Sequence, residues 1–221
     1  MCLSFYLLNM TKSRLEAFSD GVIAIIITIM VLEMKVPHDT SWQALSKLTP
    51  VFLSYILSFI GLGIYWVNHH HLLHSIKKVH GRVLWANLNL LFWLSLVPFV
   101  TAWMGESNFA KEPVILYAVS CNCCGLAYFL LLLSIKKSHR DYPDMMELLR
   151  HQTHKGLLSN IAYLLALIFA FYYPIVSAVL FILVAGIWFI PDKDIEAALS
   201  RDILRNRRKR LNSSVLLYFF I

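Results

Sequence analysis

"RLEAFSDGVIAIIITIMVLEMKVP", residues 14–37, decides the fold. It opens on Arg14, Glu16, Ser19 and Asp20, and then no charged side chain occurs until Glu33. An apolar run of this length, near the roughly 20 residues that cross a bilayer as a helix, reads as a membrane span with a polar group set just inside its first turns. The rest of the chain agrees. Of its 221 residues 58% are hydrophobic and 15% charged, and the mean hydropathy is +0.63, well above the apolar share of a soluble domain. The formal net charge of +7 would suggest nucleic acid in a soluble protein. Here the basic residues fall between apolar blocks, where orientation and anionic headgroups account for them, so no nucleic-acid partner is expected.

Outward from the first segment, apolar stretches predict helices near 15–35, 49–71, 83–104, 113–135, 157–173 and 175–191. The last two are separated only by "FYYPIV", in which Pro174 suits the first turn of a new helix; one long bent helix is the competing reading. Lysine and arginine decide between six and five. The N-terminal arm, the second-to-third loop, the fourth-to-fifth loop and the tail hold 2, 3, 5 and 7, which is 17 of the 20, and only Lys35, Lys47 and Lys111 fall elsewhere. The positive-inside rule then places both termini in the cytoplasm and makes the helix number even. The expected fold class is an all-α membrane protein with six transmembrane helices per subunit: an N-terminal extension over 1–11, a six-helix domain over 12–192 and a basic cytoplasmic tail over 193–221.

"MCLSFYLLNM" lacks a basic start and a small-residue cleavage site, so no signal peptide is expected, and Met10 is a second possible start. The tail joins a basic cluster to an apolar end and reads either as an interfacial segment or as a solvated one. Cys121, Cys123 and Cys124 lie inside the fourth apolar segment with no matching set elsewhere. They read as small packing residues rather than as a disulfide, redox or metal set.

Polar residues coincide in depth. Ser19 and Asp20 lie five and six residues after Arg14, His69 and His70 eight and seven before Lys77, Asn87 five after Arg82, and Asn160 five after Lys155. Such groups are expensive in a bilayer and face one another, so this layer predicts an interhelical hydrogen-bond network holding the first helix. His70 and His74 share a helical face, but no carboxylate or cysteine in their own segment completes a metal set, and no metal is expected.

The other face of the first helix carries Phe18, Gly21, Ile25, Thr28 and Leu32 at alternating steps of three and four, the spacing of a helix seam. Asp20 points about 140° away from Ile25 at 100° per residue. If copies of this helix met around an axis, Thr28 would form a ring of hydroxyls between apolar rings at Ile25 and Leu32. Threonine can equally satisfy itself on a carbonyl of its own helix.

"RLEAFSDG", "YWVNHH", "LWANLNLLFWLSLVPFVTAWMG" and "AGIWFIPDKDIE" together resemble the transmembrane protein 175 family, the endolysosomal potassium channels and their single-repeat prokaryotic relatives, over nearly all of residues 12–198. The resemblance implies a potassium-permeable cation channel in a prokaryotic plasma (inner) membrane. It implies a homotetramer in which the first helices line a central pore, with potassium as the permeant ion, no cofactor and no TVGYG filter. It implies pore constrictions at Ile25 and Leu32 with a hydroxyl layer at Thr28. It also implies a brace made by Arg14, Phe18, Ser19 and Asp20, with His69, His70, Asn87 and Asn160 as its partners, His70 and Asn87 foremost. Two other classes stay open on the residues alone. A proton-coupled cation transporter would use Asp20 and the histidines, although the discontinuous helix pair of many transporters is missing. An intramembrane enzyme ranks last, because no nucleophile has a base at suitable spacing and no HExxH motif occurs.

Overall fold

The computed structural model describes residues 11–76, 79–139 and 143–189. The expected N-terminal extension, apart from Thr11, and the expected tail lie outside them. Among the described residues all regular structure is helical: α1 Lys12–Leu32, α2 Trp42–Ser46, α3 Thr49–Ser75, α4 Gly81–Ser95, α5 Val97–Glu106, α6 Lys111–Ser138, α7 Pro143–Ala170 and α8 Pro174–Phe189. Helices suit this composition because, in hydrocarbon, every backbone N–H and C=O must find its partner within the segment.

Each boundary has a local cause. α1 begins after Thr11, which is extended, and stops at Leu32, ahead of Glu33, Lys35 and Pro37. It therefore sits three residues earlier than expected. α3 starts with Pro50 in its first turn and runs on to Ser75, about 40 Å at 1.5 Å per residue. The third expected segment is two helices, α4 and α5, interrupted at Leu96, whose N–H turns to the Trp93 carbonyl. Pro98 supplies the reason, since it has no N–H to continue the ladder. α5 closes with Phe109 N–H on the Met104 carbonyl (2.9 Å) and Asn108 N–H on that of Gly105 (3.1 Å), with Asn108 left-handed at φ 51°. That pairing is a Schellman turn, and asparagine tolerates the left-handed position. α7 ends at Ala170 and α8 starts on Pro174, so two helices stand where one bent helix was the alternative.

Five stretches are long and apolar enough to cross a membrane: 12–32, 49–75, 81–106, 111–138 and 152–170. α8 is apolar but has only 16 described residues. The chain is thus a multi-pass helical membrane protein.

α1 packs against α3, α4 and α5; α6 packs against α4, α5 and α7; α8 packs against α7, α3 and α6. One buried cluster joins Leu15, Ile23, Ile26 and Met30 of α1 to Leu62, Leu72, Leu84, Leu91 and Leu131. A second gathers Val100, Met104, Val114, Tyr117, Ala166 and Phe181. Helices approach most closely where α5 crosses α3: a Cβ on Gly105 would stand 2.6 Å from the Val51 Cα. No larger residue fits there, and small residues are what membrane helices use for close contact.

Candidate pore helix and its brace

α1 has one face inside the subunit and one outside. Leu15, Ser19, Ile23, Ile26 and Met30 are buried. Arg14, Phe18, Gly21, Ile25, Thr28 and Leu32 form the opposite column and are all exposed, with Phe18 at 51%, Ile25 at 59% and Leu32 at 78%. A Cβ placed on Gly21 would meet nothing. The Thr28 hydroxyl donates to the Ile25 carbonyl at 2.9 Å, so its one hydrogen is used within the helix while its oxygen faces outward as an acceptor. Ile25 and Leu32 bracket it about 10 Å apart, at 1.5 Å per residue.

The buried face is held by a three-helix relay. Ser19 Oγ donates to the Leu15 carbonyl at 2.8 Å and accepts from Asn87 Nδ2 at 2.9 Å. Asn87 Oδ1 in turn accepts from His69 Nε2 at 2.6 Å. All three side chains are essentially inaccessible. Every hydrogen is committed, and the amide of Asn87, with a donor and an acceptor on one group, can join a hydroxyl on α1 to an imidazole on α3. His69 carries its proton on Nε2, and its other ring nitrogen is buried with no hydrogen-bond partner. That arrangement suits the neutral ring.

Asp20 is held separately, at the rim. Trp66 Nε1 donates to its Oδ1 at 3.0 Å, and His70 Nδ1 stands 3.8 Å from its Oδ2. One turn below, Glu16 faces Lys12 at 3.8 Å and His74 at 4.0 Å. The far end of the helix is tethered as well: Lys35 Nζ donates to Glu106 Oε1 at 2.7 Å across to α5, and that hydrogen bond and charge raise the Lys35 ammonium above its ordinary range. Both groups are exposed, so this is a tether rather than a source of much stability.

The structure therefore divides the residues that the sequence placed together. Ser19, Asn87 and His69 form the buried relay, while Asp20 and His70 meet outside it. Arg14 and Phe18 do not brace α1 within the subunit: both lie on the exposed column, and Arg14 has no partner among the described residues. Asn160 also stands apart. Its amide donates to the Gly156 carbonyl of its own helix at 3.0 Å and its oxygen lies against Gly125 of α6. Equal depth did not mean adjacency, because α7 packs on α6 and α8, not on α1. Trp66, Glu16 and His74 were missed. Their signal was the i, i+4 spacing of Trp66, His70 and His74 on α3 against that of Glu16 and Asp20 on α1. No group of three or more described His, Cys, Asp or Glu side chains is disposed to hold a metal ion.

A cavity of about 70 Å³ lies between α3, α6, α7 and α8, lined by Ser58, Tyr65, Tyr117, Cys121, Tyr163 and Trp188 among others. α1 contributes nothing to it. It has room for a few waters, and it is no continuation of the α1 column.

Comparison with known proteins follows this geometry. Residues 14–98, from Arg14 through the brace, match the family described as endosomal/lysosomal potassium channel TMEM175. A protein named a potassium channel from Chryseobacterium sp. (strain P1-3) is 50% identical over 193 residues, covering 87% of this chain and all of its own. The chain belongs to the TMEM175 family. A crystal structure of a lysosomal potassium-selective channel TMEM175 homolog from Chamaesiphon minutus superposes with a TM-score of 0.65 at 26% identity, over 80% of this chain and 95% of that one. The Homo sapiens relative named endosomal/lysosomal proton channel TMEM175 is 33% identical over 116 residues, 47% of this chain and 23% of its own. TMEM175 proteins are ion channels, not enzymes, and the family uses no cofactor.

Proposed function

We propose that this TMEM175 protein is a potassium-permeable cation channel of a prokaryotic plasma membrane. In this reading the chain crosses the bilayer six times, with both termini cytoplasmic, and assembles as a homotetramer around four copies of α1. The observation that carries it is the asymmetry of α1: a face closed by a hydrogen-bonded relay, and opposite it an unpartnered column that places a hydroxyl between two aliphatic residues. Exposed leucine, isoleucine and phenylalanine on α3, α7 and α8 are what lipid requires. Gly21, Thr28 and Arg14 in one exposed column are not.

Ile25 and Leu32 form apolar constrictions on this reading, and Thr28 lends oxygens to an ion between them. Potassium crosses more readily than sodium because it sheds water at lower cost in a narrow apolar pore that offers a few oxygens. No TVGYG loop takes part. The relatives named potassium channels do not favour a proton-coupled transporter.

Purified protein in potassium-loaded liposomes tests the reading. Ile25→Asn or Leu32→Asn wets a constriction and raises potassium and rubidium flux. Absence of flux in the wild type, with no change in either variant, would end it.

A further inference from the structure

The polar groups at the N-terminal end of α1 leave one oxygen unaccounted for. Glu16 Oε1 is buried and makes no hydrogen bond; its neighbours are Lys12 Nζ at 3.8 Å and His74 Nδ1 at 4.0 Å. Lys12 is already engaged, donating to the His74 carbonyl, the last open acceptor of α3. One turn along both helices the same chemistry repeats, Asp20 Oδ2 facing His70 Nδ1 at 3.8 Å. The two imidazoles lie nearly parallel, ring centroids 6.2 Å apart. Carboxylates at i, i+4 on α1 thus meet histidines at i, i+4 on α3 in matching register. A hidden carboxylate oxygen without a donor is costly, and an imidazolium at His74 is positioned to supply that donor and a charge together.

We infer that Glu16–His74 and Asp20–His70 form a proton-operated ladder that clamps the N-terminal half of α1 to α3, with Glu16 and His74 as positioning residues for the pore helix. The inference rests on the channel reading for its consequence, not for its existence. The other charged and titratable groups nearby are Lys12 and Asp20 on α1, His71 beside His70 on α3, and His69 behind them, which faces Asn87. Arg14 points to the opposite face, and Arg82 of α4 makes no ion pair with either carboxylate among the described residues. The attraction exists only when the histidines are charged. The clamp is therefore present at acidic pH on this side of the membrane and is lost as pH rises through the ordinary histidine range, near about 6.5. A clamped α1 resists splaying, so the constriction stays narrow.

The test compares wild type with the double variant His70→Gln, His74→Gln, and separately with Glu16→Gln, between pH 8 and pH 5.5. In nanodiscs, the melting temperature of the wild type gains on the double variant by about 2–4 °C as pH falls. Taking the difference cancels the opposing effect of protonating His69. In liposomes with potassium, wild-type flux drops at least twofold when pH is lowered on the α1 N-terminal side alone, and the double variant loses this response. Glu16→Gln, which keeps the shape and removes the charge, loses part of both. A melting difference independent of pH, or a flux response that survives in the double variant, overturns the ladder. Absence of all potassium flux beside an intact melting difference overturns the channel instead.

Discussion

The two faces of α1 share one backbone and twenty-one residues, yet they answer to different requirements. On the buried face a one-methyl change matters, because Leu15, Ile23, Ile26 and Met30 interlock with α3 and α4 and the Ser19–Asn87–His69 relay has no spare donor. On the open face nothing within the subunit constrains Gly21, Ile25 or Leu32. The difference teaches that a pore helix can be rigid and bare at once: rigidity is supplied from behind, so the front is free to be chosen for ions and for contact with its copies.

That contrast can be broken most severely from behind. Asn87→Leu orphans the buried His69 Nε2–H and strips Ser19 of its donor, a cost of ~2–4 kcal/mol if each loss falls in the usual range of 1–3. Its thermal unfolding should drop by the largest margin, with potassium flux lost alongside. Gly105→Ala should follow closely, because the added Cβ meets the Val51 backbone and forces α5 away from α3; ~1–3 kcal/mol is the usual cost of overpacking. Unfolding midpoints read both.

On the open face the same kind of change should leave the subunit's stability within ~0.5 kcal/mol, as for surface substitutions generally, while altering conduction. Thr28→Val sharpens the point. It preserves shape, removes only the hydroxyl, and should reduce the potassium-to-sodium flux ratio without moving the unfolding midpoint. The smallest effect is expected at the outer tether. Lys35→Gln removes an exposed ion pair and should change stability by no more than ~0.5 kcal/mol, detectable as a loss of salt dependence in the unfolding midpoint.

How much of this was legible in the sequence depends on whether local pattern or tertiary packing decides the feature. Helix number and the break at Pro174 follow from apolar run length and a missing N–H, both local, and the seam Phe18–Leu32 follows from helical period alone. The extension of α3 to Ser75 was not visible, because the histidine-rich end reads as a loop until Lys12 caps it from another helix. The layer at equal depth was half right for a similar reason. Counting residues from the basic boundary gives height but not azimuth, so Asn160 fell at the right level on a helix that does not touch α1, and Arg14 and Phe18 fell on the right helix but the wrong side of it. His69 and His70 are adjacent and point about 100° apart, and that one step decides which joins the buried relay and which meets Asp20.

Whether the open column of α1 faces a shared axis is tested most directly by potassium flux through Thr28→Cys in liposomes, before and after a cationic thiol-reactive reagent, with the wild type as control for its own cysteines. The account predicts that modification blocks flux through Thr28→Cys and leaves the wild type unchanged. Full flux after demonstrated modification of Thr28→Cys would contradict it.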